Sequence, residues 1–296
     1  MKIGVLMGGV SSEREVSLHS GKGIVEYLDR NKYEVFPIVI DAKEELIEKV
    51  KGMDFIFIAL HGAFGEDGAV QAILESINMP YSGCGILTSA LCMDKKQTKR
   101  ILKSEGIAVA PEVLVRKDKP FDLGKIKELG YPVVVKPNGG GSSVGTFLVK
   151  NNQELERAIT EALKFDKEVM VEKYLPGNEY TIPVLNGEIF PILSIKASGE
   201  FYDYNSKYTD GGSEKAIAEL TEDLQNKMKE IGERCWNIFN CKAYVRIDII
   251  VSDGIPYVLE LNTLPGMTKN SLFPKSAKGV NMEYGELLDK IIEYSL

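Results

Sequence analysis

The stretch "VVVKPNGGGSSVGTF", residues 133–147, decides how the rest of the chain is read. An apolar run ends in Lys136 and Pro137, a Gly/Ser tract comes next, and the chain turns apolar again at Phe147. Gly-rich tracts in α/β proteins often hold phosphate, but the known patterns differ in the element that the glycines lead into. A Walker loop places Lys-Ser/Thr directly after its last glycine at the start of a helix, and a dinucleotide fingerprint also opens a helix. Here the lysine comes first and a β-rich segment comes after. What remains is a Gly/Ser hairpin whose backbone N–H groups, with the hydroxyls of Ser142 and Ser143, suit a triphosphate, while Lys136 on the preceding strand supplies positive charge. A hairpin with no ligand stays open on these residues alone, because glycine is also ordinary turn chemistry.

The surrounding composition narrows the ligand. The 296 residues are 44% hydrophobic and 27% charged, which suits a globular protein with room for several domains. A net charge of −7 and the lack of a dense Lys/Arg block argue against nucleic acid or an anionic membrane as partner, and so for a small substrate. The opening "MKIGVLMGG" reads as a first strand rather than a cleavable signal, and no apolar run approaches the length of a membrane helix, so a cytoplasmic location is expected. Cys84, Cys92, Cys235 and Cys241 form no C-x-x-C pair and are expected to be reduced and structural.

Through the first third, "KIGVLMGG", "YEVFPIVI" and "DFIFIAL" alternate with amphipathic stretches, the signature of a doubly wound parallel sheet. Ligands of such sheets gather at the carboxyl ends of the strands, which singles out "GGVSSERE" and "HGAFGEDGA". Ser12 and Glu15 also have the spacing of a capping box. A helix "KKQTKRILKSEG" and a strand "VAPEVLV" lead to the Gly/Ser tract. Beyond it, "TIPVL" and "EIFPIL" flank Asn186-Gly187, a strong hairpin signal, and an amphipathic helix is expected over about 219–239. The expected division is an N-terminal α/β domain over 1–92, a central part over 93–180 and a C-terminal part over 181–296, the last two α+β with antiparallel sheets.

The last hairpin, "AYVRIDIIVSDGIPYVLELNT", carries the second chemical signal. Arg246 and Asp248 share one strand face, and Glu260 and Asn262 share one face of the next. A two-residue Asp253-Gly254 turn would put the pairs on opposite faces. A three-residue turn, 252–254, would put all four together, and is expected because Asp, Glu and Asn side by side form an all-oxygen set suited to Mg²⁺. Solvent-facing polar residues would explain single positions but not Arg-x-Asp facing Glu-x-Asn.

Taken in order, "GGVSSEREVSLHSG", "ALHGAFGEDG", "MDKKQTK", "VVVKPNGGGSSVG", "EKYLPGNEYT", "FYDYNSKYTDGG", "RIDII" and "LELNTLPGMTKNSL" resemble the motifs of the D-alanine–D-alanine ligases of the ATP-grasp superfamily, nearly end to end. The resemblance implies a two-part ATP-grasp fold after the N-terminal domain, with ATP between the two parts. It implies that one D-alanine carboxylate becomes an acyl phosphate, which the amine of a second D-alanine attacks, for peptidoglycan precursor synthesis. Lys95 and Lys136 would meet the phosphates under the loop carrying Ser142 and Ser143. Glu172, Lys173 and Leu175 would meet adenine, and Glu179 the ribose. Asp248, Glu260 and Asn262 would hold two Mg²⁺ (or Mn²⁺) ions. Arg246 and the Gly266 N–H would stabilise the oxyanion. Glu13 would anchor the ammonium of the first D-alanine with His61 beside it, and Ser271 and Leu272 would lie at the carboxylate of the second. Ser142 and Tyr208 would tie the loop to Glu13, and Lys207 would point to the transferred phosphate. A homodimer is implied as well.

Tyr208 goes, in that family, with dipeptide rather than ester formation. One departure stands out: after "KYTDGG" many family members carry a proline, whereas "SEKAIAELTED" has none. Another ATP-grasp carboxylate–amine ligase would share the lysines, loop and metal residues but not Glu13, Tyr208 and Ser271. A non-catalytic nucleotide-binding module would not need Arg246 beside the oxygen set.

Overall fold

The computed structural model describes residues 1–197 and 213–296. Its N-terminal part contains β1 (Lys2–Gly8), α1 (Arg14–Tyr27), β2 (Glu34–Ile40), α2 (Leu46–Lys49), β3 (Phe55–Ile58), α3 (Ala69–Ser76) and α4 (Ile86–Met93). The strands form a parallel sheet in the order β2-β1-β3. β1 after Lys2 and all of β3 are buried, so both read as unbroken apolar runs. β2, at the edge, alternates. The carboxyl ends of β1 and β3 lie side by side, with Leu6 opposite Ile58, which brings the two loops singled out by position together.

The central part contains α5 (Lys95–Ser104), β4 (Glu112–Arg116), α6 (Leu123–Glu128), β5 (Val133–Pro137), β6 (Phe147–Val149), α7 (Asn152–Ala162) and β7 (Glu168–Lys173). The antiparallel order is β4-β7-β5-β6. The tract after Lys136 returns into β6, as expected, with Val135 paired to Phe147. Valines of β5 and β7 pack on Leu155 and Ile159 of α7.

The C-terminal part contains β8 (Asn178–Leu185), β9 (Glu188–Ile189), β10 (Leu193–Ala197), β11 (Ser213–Ile217), α8 (Glu222–Ile238), β12 (Tyr244–Ser252), β13 (Ile255–Asn262), α9 (Leu272–Lys278) and α10 (Tyr284–Ser295). Its described strands run β11-β10-β8-β12-β13, with β9 folded onto β8. Asn186 and Gly187 are both left-handed, the conformation of a tight two-residue hairpin turn. The proline-free stretch opens with β11, antiparallel to β10 over the strand's whole length, and a proline there would remove a ladder donor or be confined to the outer edge.

The last hairpin differs from its expected turn. Ser252 pairs with Ile255 across a two-residue turn in which Asp253 and Gly254 are both left-handed. Continued regularly, that register would set Glu260 opposite Ile247, on the buried face. A β-bulge intervenes: Ile249 pairs with Val258 but Asp248 pairs with Glu260, so Leu259 is the extra residue. All four polar residues reach one face after all, by a bulge rather than a longer turn. The capping box is also not formed. The first turn of α1 begins at Arg14 with Glu13 at the cap position, so Ser12 stands one residue too early to cap it, and the Glu13 carboxylate is engaged across the molecule by Ser142.

The hydrophobic cores follow the sheets only in part. Ile3, Leu6, Phe55 and Phe57 share one core with Tyr244 and Phe273 and with Tyr284, Leu287 and Ile291 of α10. Gly83 N donates to Ser295 Oγ at 3.2 Å across 212 residues of chain. All four cysteines are free and buried in a neighbouring core among α4, α8 and β12. No helix among the described residues is long and apolar enough to cross a membrane.

Candidate active site

The parts meet around a cavity of about 980 Å³, the size of a site for nucleotide-sized ligands. One wall is the β5–β6 hairpin and β7. Lys136 projects from β5 and its Nζ lies 2.7 Å from Glu172 Oε2. Lys95 opens α5, where Asp94 caps the helix through the Gln97 N–H. Its Nζ donates to the Gly140 carbonyl at 2.5 Å and lies 3.1 Å from Glu260 Oε2. Asn138 fastens the base of the loop to α5: it accepts from the Lys96 N–H at 2.9 Å and donates to Asp94 Oδ1 at 2.9 Å. Ser142, Ser143 and Gly145 all adopt left-handed backbone, so the chain curls and presents successive groups towards the cavity. Lys173, Leu175 and Glu179 line the same side.

The facing wall is the last hairpin. Arg246 pairs directly with Asn262 and Asp248 with Glu260. Arg246 holds Asp248 in a two-pronged pair, Nε to Oδ1 at 2.9 Å and Nη2 to Oδ2 at 2.8 Å, and Asn262 Nδ2 donates to Oδ2 at 3.0 Å. The bulge gives this wall two consecutive cavity residues, Leu259 and Glu260, one apolar and one charged. The donor chemistry fits Mg²⁺ or Mn²⁺: two carboxylates and an amide stand side by side on one face of the hairpin. Among the described residues no three His, Cys, Asp or Glu side chains form a self-sufficient cage. Such a set suits a cation that completes its shell with phosphate and water.

The third wall belongs to the N-terminal loops. Glu13 is 7% exposed and accepts a short hydrogen bond from Ser142 Oγ, so the Gly/Ser loop is joined to the start of α1. His61, also buried, has Nε2 3.1 Å from Ser20 Oγ and Nδ1 3.9 Å from Glu66 Oε1, and Ser11 Oγ donates to its carbonyl at 2.6 Å. Gly266 and Leu272 line the cavity beside Ser271, whose Oγ accepts from the Thr268 N–H at 3.0 Å.

The structure thus brings together every site residue expected from the sequence that it describes. Lys207 and Tyr208 lie outside the described residues. It also reveals residues the sequence did not single out. Thr181 Oγ1 donates to Asp248 Oδ1 at 2.6 Å from the neighbouring strand, a partner only sheet register discloses. Ser20 and Glu66 hold His61. Lys99, 1% exposed, reaches Glu172 from α5 and forms a buried ion pair with its Oε1. Its spacing of one helical turn from Lys95 was a signal available in the sequence.

Known proteins match along the whole chain. A family model for the D-ala D-ala ligase C-terminus matches residues 101–293, and one for the N-terminus matches 2–51 and 42–84. A D-alanine–D-alanine ligase of Clostridium botulinum is 55% identical over all of this chain and 99% of its own, and one of Clostridium beijerinckii is 54% identical over the same shares. Among solved structures, a D-alanine–D-alanine ligase from Bacillus anthracis complexed with ATP is similar with a TM-score of 0.91 at 43% identity, covering 100% of this chain and 97% of that one. The VanG D-Ala:D-Ser ligase from Enterococcus faecalis is similar at 0.85 and 30%, covering 100% and 99%. With its three-walled cavity matched to relatives of this length and likeness, the chain belongs to the D-alanine–D-alanine ligase family of ATP-grasp enzymes.

Proposed function

We propose that this chain joins two D-alanines into D-alanyl-D-alanine with conversion of ATP to ADP and phosphate, through a D-alanyl phosphate, in the cytoplasm and for peptidoglycan precursor synthesis. The observation that carries this is the meeting in one cavity of a cationic loop wall, an oxygen-rich hairpin wall and a buried carboxylate beside a histidine. A phosphoryl donor, divalent cations and an amino acid need these three surfaces next to one another.

In this reading Glu13 takes the ammonium of the first D-alanine and His61 lies beside that molecule. The carboxylate of that D-alanine attacks the γ-phosphorus and ADP leaves. Phosphoryl transfer offers a protein little covalent work, so positioning and charge neutralisation carry the step, and Lys95 and Lys136 on the phosphates provide both. Two Mg²⁺ or Mn²⁺ ions on Asp248, Glu260 and Asn262 would add charge neutralisation on the phosphate oxygens. The amine of the second D-alanine, held by its carboxylate near Ser271 and Leu272, loses a proton and attacks the acyl carbon. Arg246 and the Gly266 N–H face the oxyanion that forms, and phosphate leaves. Glu172, Lys173 and Leu175 serve adenine, Glu179 the ribose, and Ser142 with Ser143 the phosphates. Lys207 would serve the transferred phosphate, and Tyr208 would act with Ser142 and Glu13. The homodimer belongs to the same reading, supported by exposed Ile86 and Leu87 in the first turn of α4, the latter 72% exposed.

The test is phosphate release with ATP and Mg²⁺ in the presence of D-alanine, L-alanine, D-serine or D-alanine plus D-lactate, with product masses recorded. D-alanine-dependent release with the dipeptide mass is expected. Release only with another acid and amine would overturn the substrate assignment, and light scattering would test the dimer.

A further inference from the structure

Glu112 on β4 and Glu172 on β7 are direct cross-strand partners. Like charges so placed repel, and both side chains are largely withdrawn from water, at 11% and 5% exposure. The charge that reconciles them comes from α5. Lys99, itself 1% exposed, makes a short ion pair with Glu172 Oε1 and lies 3.9 Å from Glu112 Oε2. Lys96 meets the other oxygen of Glu112 at 2.5 Å. Glu172 thereby divides its two oxygens: Oε1 is met from the protein interior by Lys99, and Oε2 from the cavity wall by Lys136 at 2.7 Å.

We infer that Lys99 is a positioning residue for nucleotide binding, neutralising Glu172 from within so that Lys136 is able to turn from that carboxylate to a phosphate. The inference rests on the proposed reading of Lys136 and Glu172 as nucleotide ligands. Lys99 is walled off from the cavity and touches no substrate; it acts through Glu172. Remove it, and Lys136 becomes the main counter-charge of a buried carboxylate that faces a second one. A buried ion whose partner is deleted binds its remaining partner more tightly or takes up a proton, and either change alters Lys136 before any phosphate arrives.

The test compares ATP with adenosine, which shares the base and ribose but has no phosphate. With purified full-length chain, Lys99→Met is expected to weaken ATP about tenfold and adenosine, whose base Glu172 also serves, only about threefold, and to raise the KM for ATP with that for D-alanine unchanged. Equal weakening of both ligands, or of neither, overturns the inference. Should Lys99→Met fail to fold, Glu112→Gln serves instead: Lys99 is then wholly available to Glu172, so the ratio of ATP to adenosine affinity must hold or rise, and a fall overturns the inference. Failure of the unaltered chain to bind ATP would sink the nucleotide reading itself rather than the role of Lys99.

Discussion

At the scale of single residues, Glu260 is the sharpest test of the oxygen-rich wall. Glu260→Gln keeps the shape but removes one of the two carboxylates, and also deprives Lys95 of its 3.1 Å partner. Turnover is expected to fall by about 10²-fold or more in a steady-state assay, with circular dichroism and the melting temperature little changed. Ser142→Ala is milder. It removes the hydrogen bond to Glu13 and is expected to raise the KM for the first D-alanine about tenfold, measured by varying D-alanine at saturating ATP. Glu13 illustrates how much of a residue the chain discloses. Its position after a first strand was legible, and so was its candidacy as an ammonium anchor. Its neighbours' local spacing suggested a capping box, but α1 begins one residue later, and nothing local reports that Ser142, 129 residues away, claims the carboxylate.

At the scale of elements, the last hairpin shows which geometry a sequence carries openly. Asp253-Gly254 announces a turn, and the alternation of polar residues announces two faces. The pairing that aligns those faces depends on an extra residue at Leu259, which nothing in its local sequence marks out. A bulge is a property of two strands together, so it escapes a reading of one strand at a time. Thr181 escaped for the same reason, reaching Asp248 from a third strand 67 residues away. The turn itself can be tested alone. Gly254 has φ +74 and open space where a Cβ would stand, so Gly254→Ala introduces backbone strain without a clash. About 1 kcal/mol is expected to be lost, lowering the melting temperature by about 2–4 °C with kcat unchanged. Unaltered melting would argue against the left-handed turn.

At the scale of the whole molecule, the order of motifs was legible, and with it the fold class, because each motif falls at a strand end or hairpin that the hydrophobic pattern already marks. The sharing of cores between distant parts was not, since apolar residues carry no address. The four thiols make that interior testable. Burial raises the thiol of Cys92 well above its usual range and that of Cys235 to about 12, so both stay protonated at neutral pH. Cys84 and Cys241 are enclosed as well. A thiol-disulfide reagent at pH 8 is expected to react with the native chain only over hours and with all four cysteines at once after denaturation. A fast native reaction would show that this core opens.

The seat of α10 in the first core bears on how the chain is made. Asp289 meets Lys32 across 257 residues, and Tyr284, Leu287 and Ile291 cover apolar surface laid down by Ile3 and Phe55. A ribosome delivers that surface long before its cover. The nascent N-terminal sheet must therefore wait, partly bare, while the rest is translated, which gives chaperones an apolar surface to hold until α10 emerges.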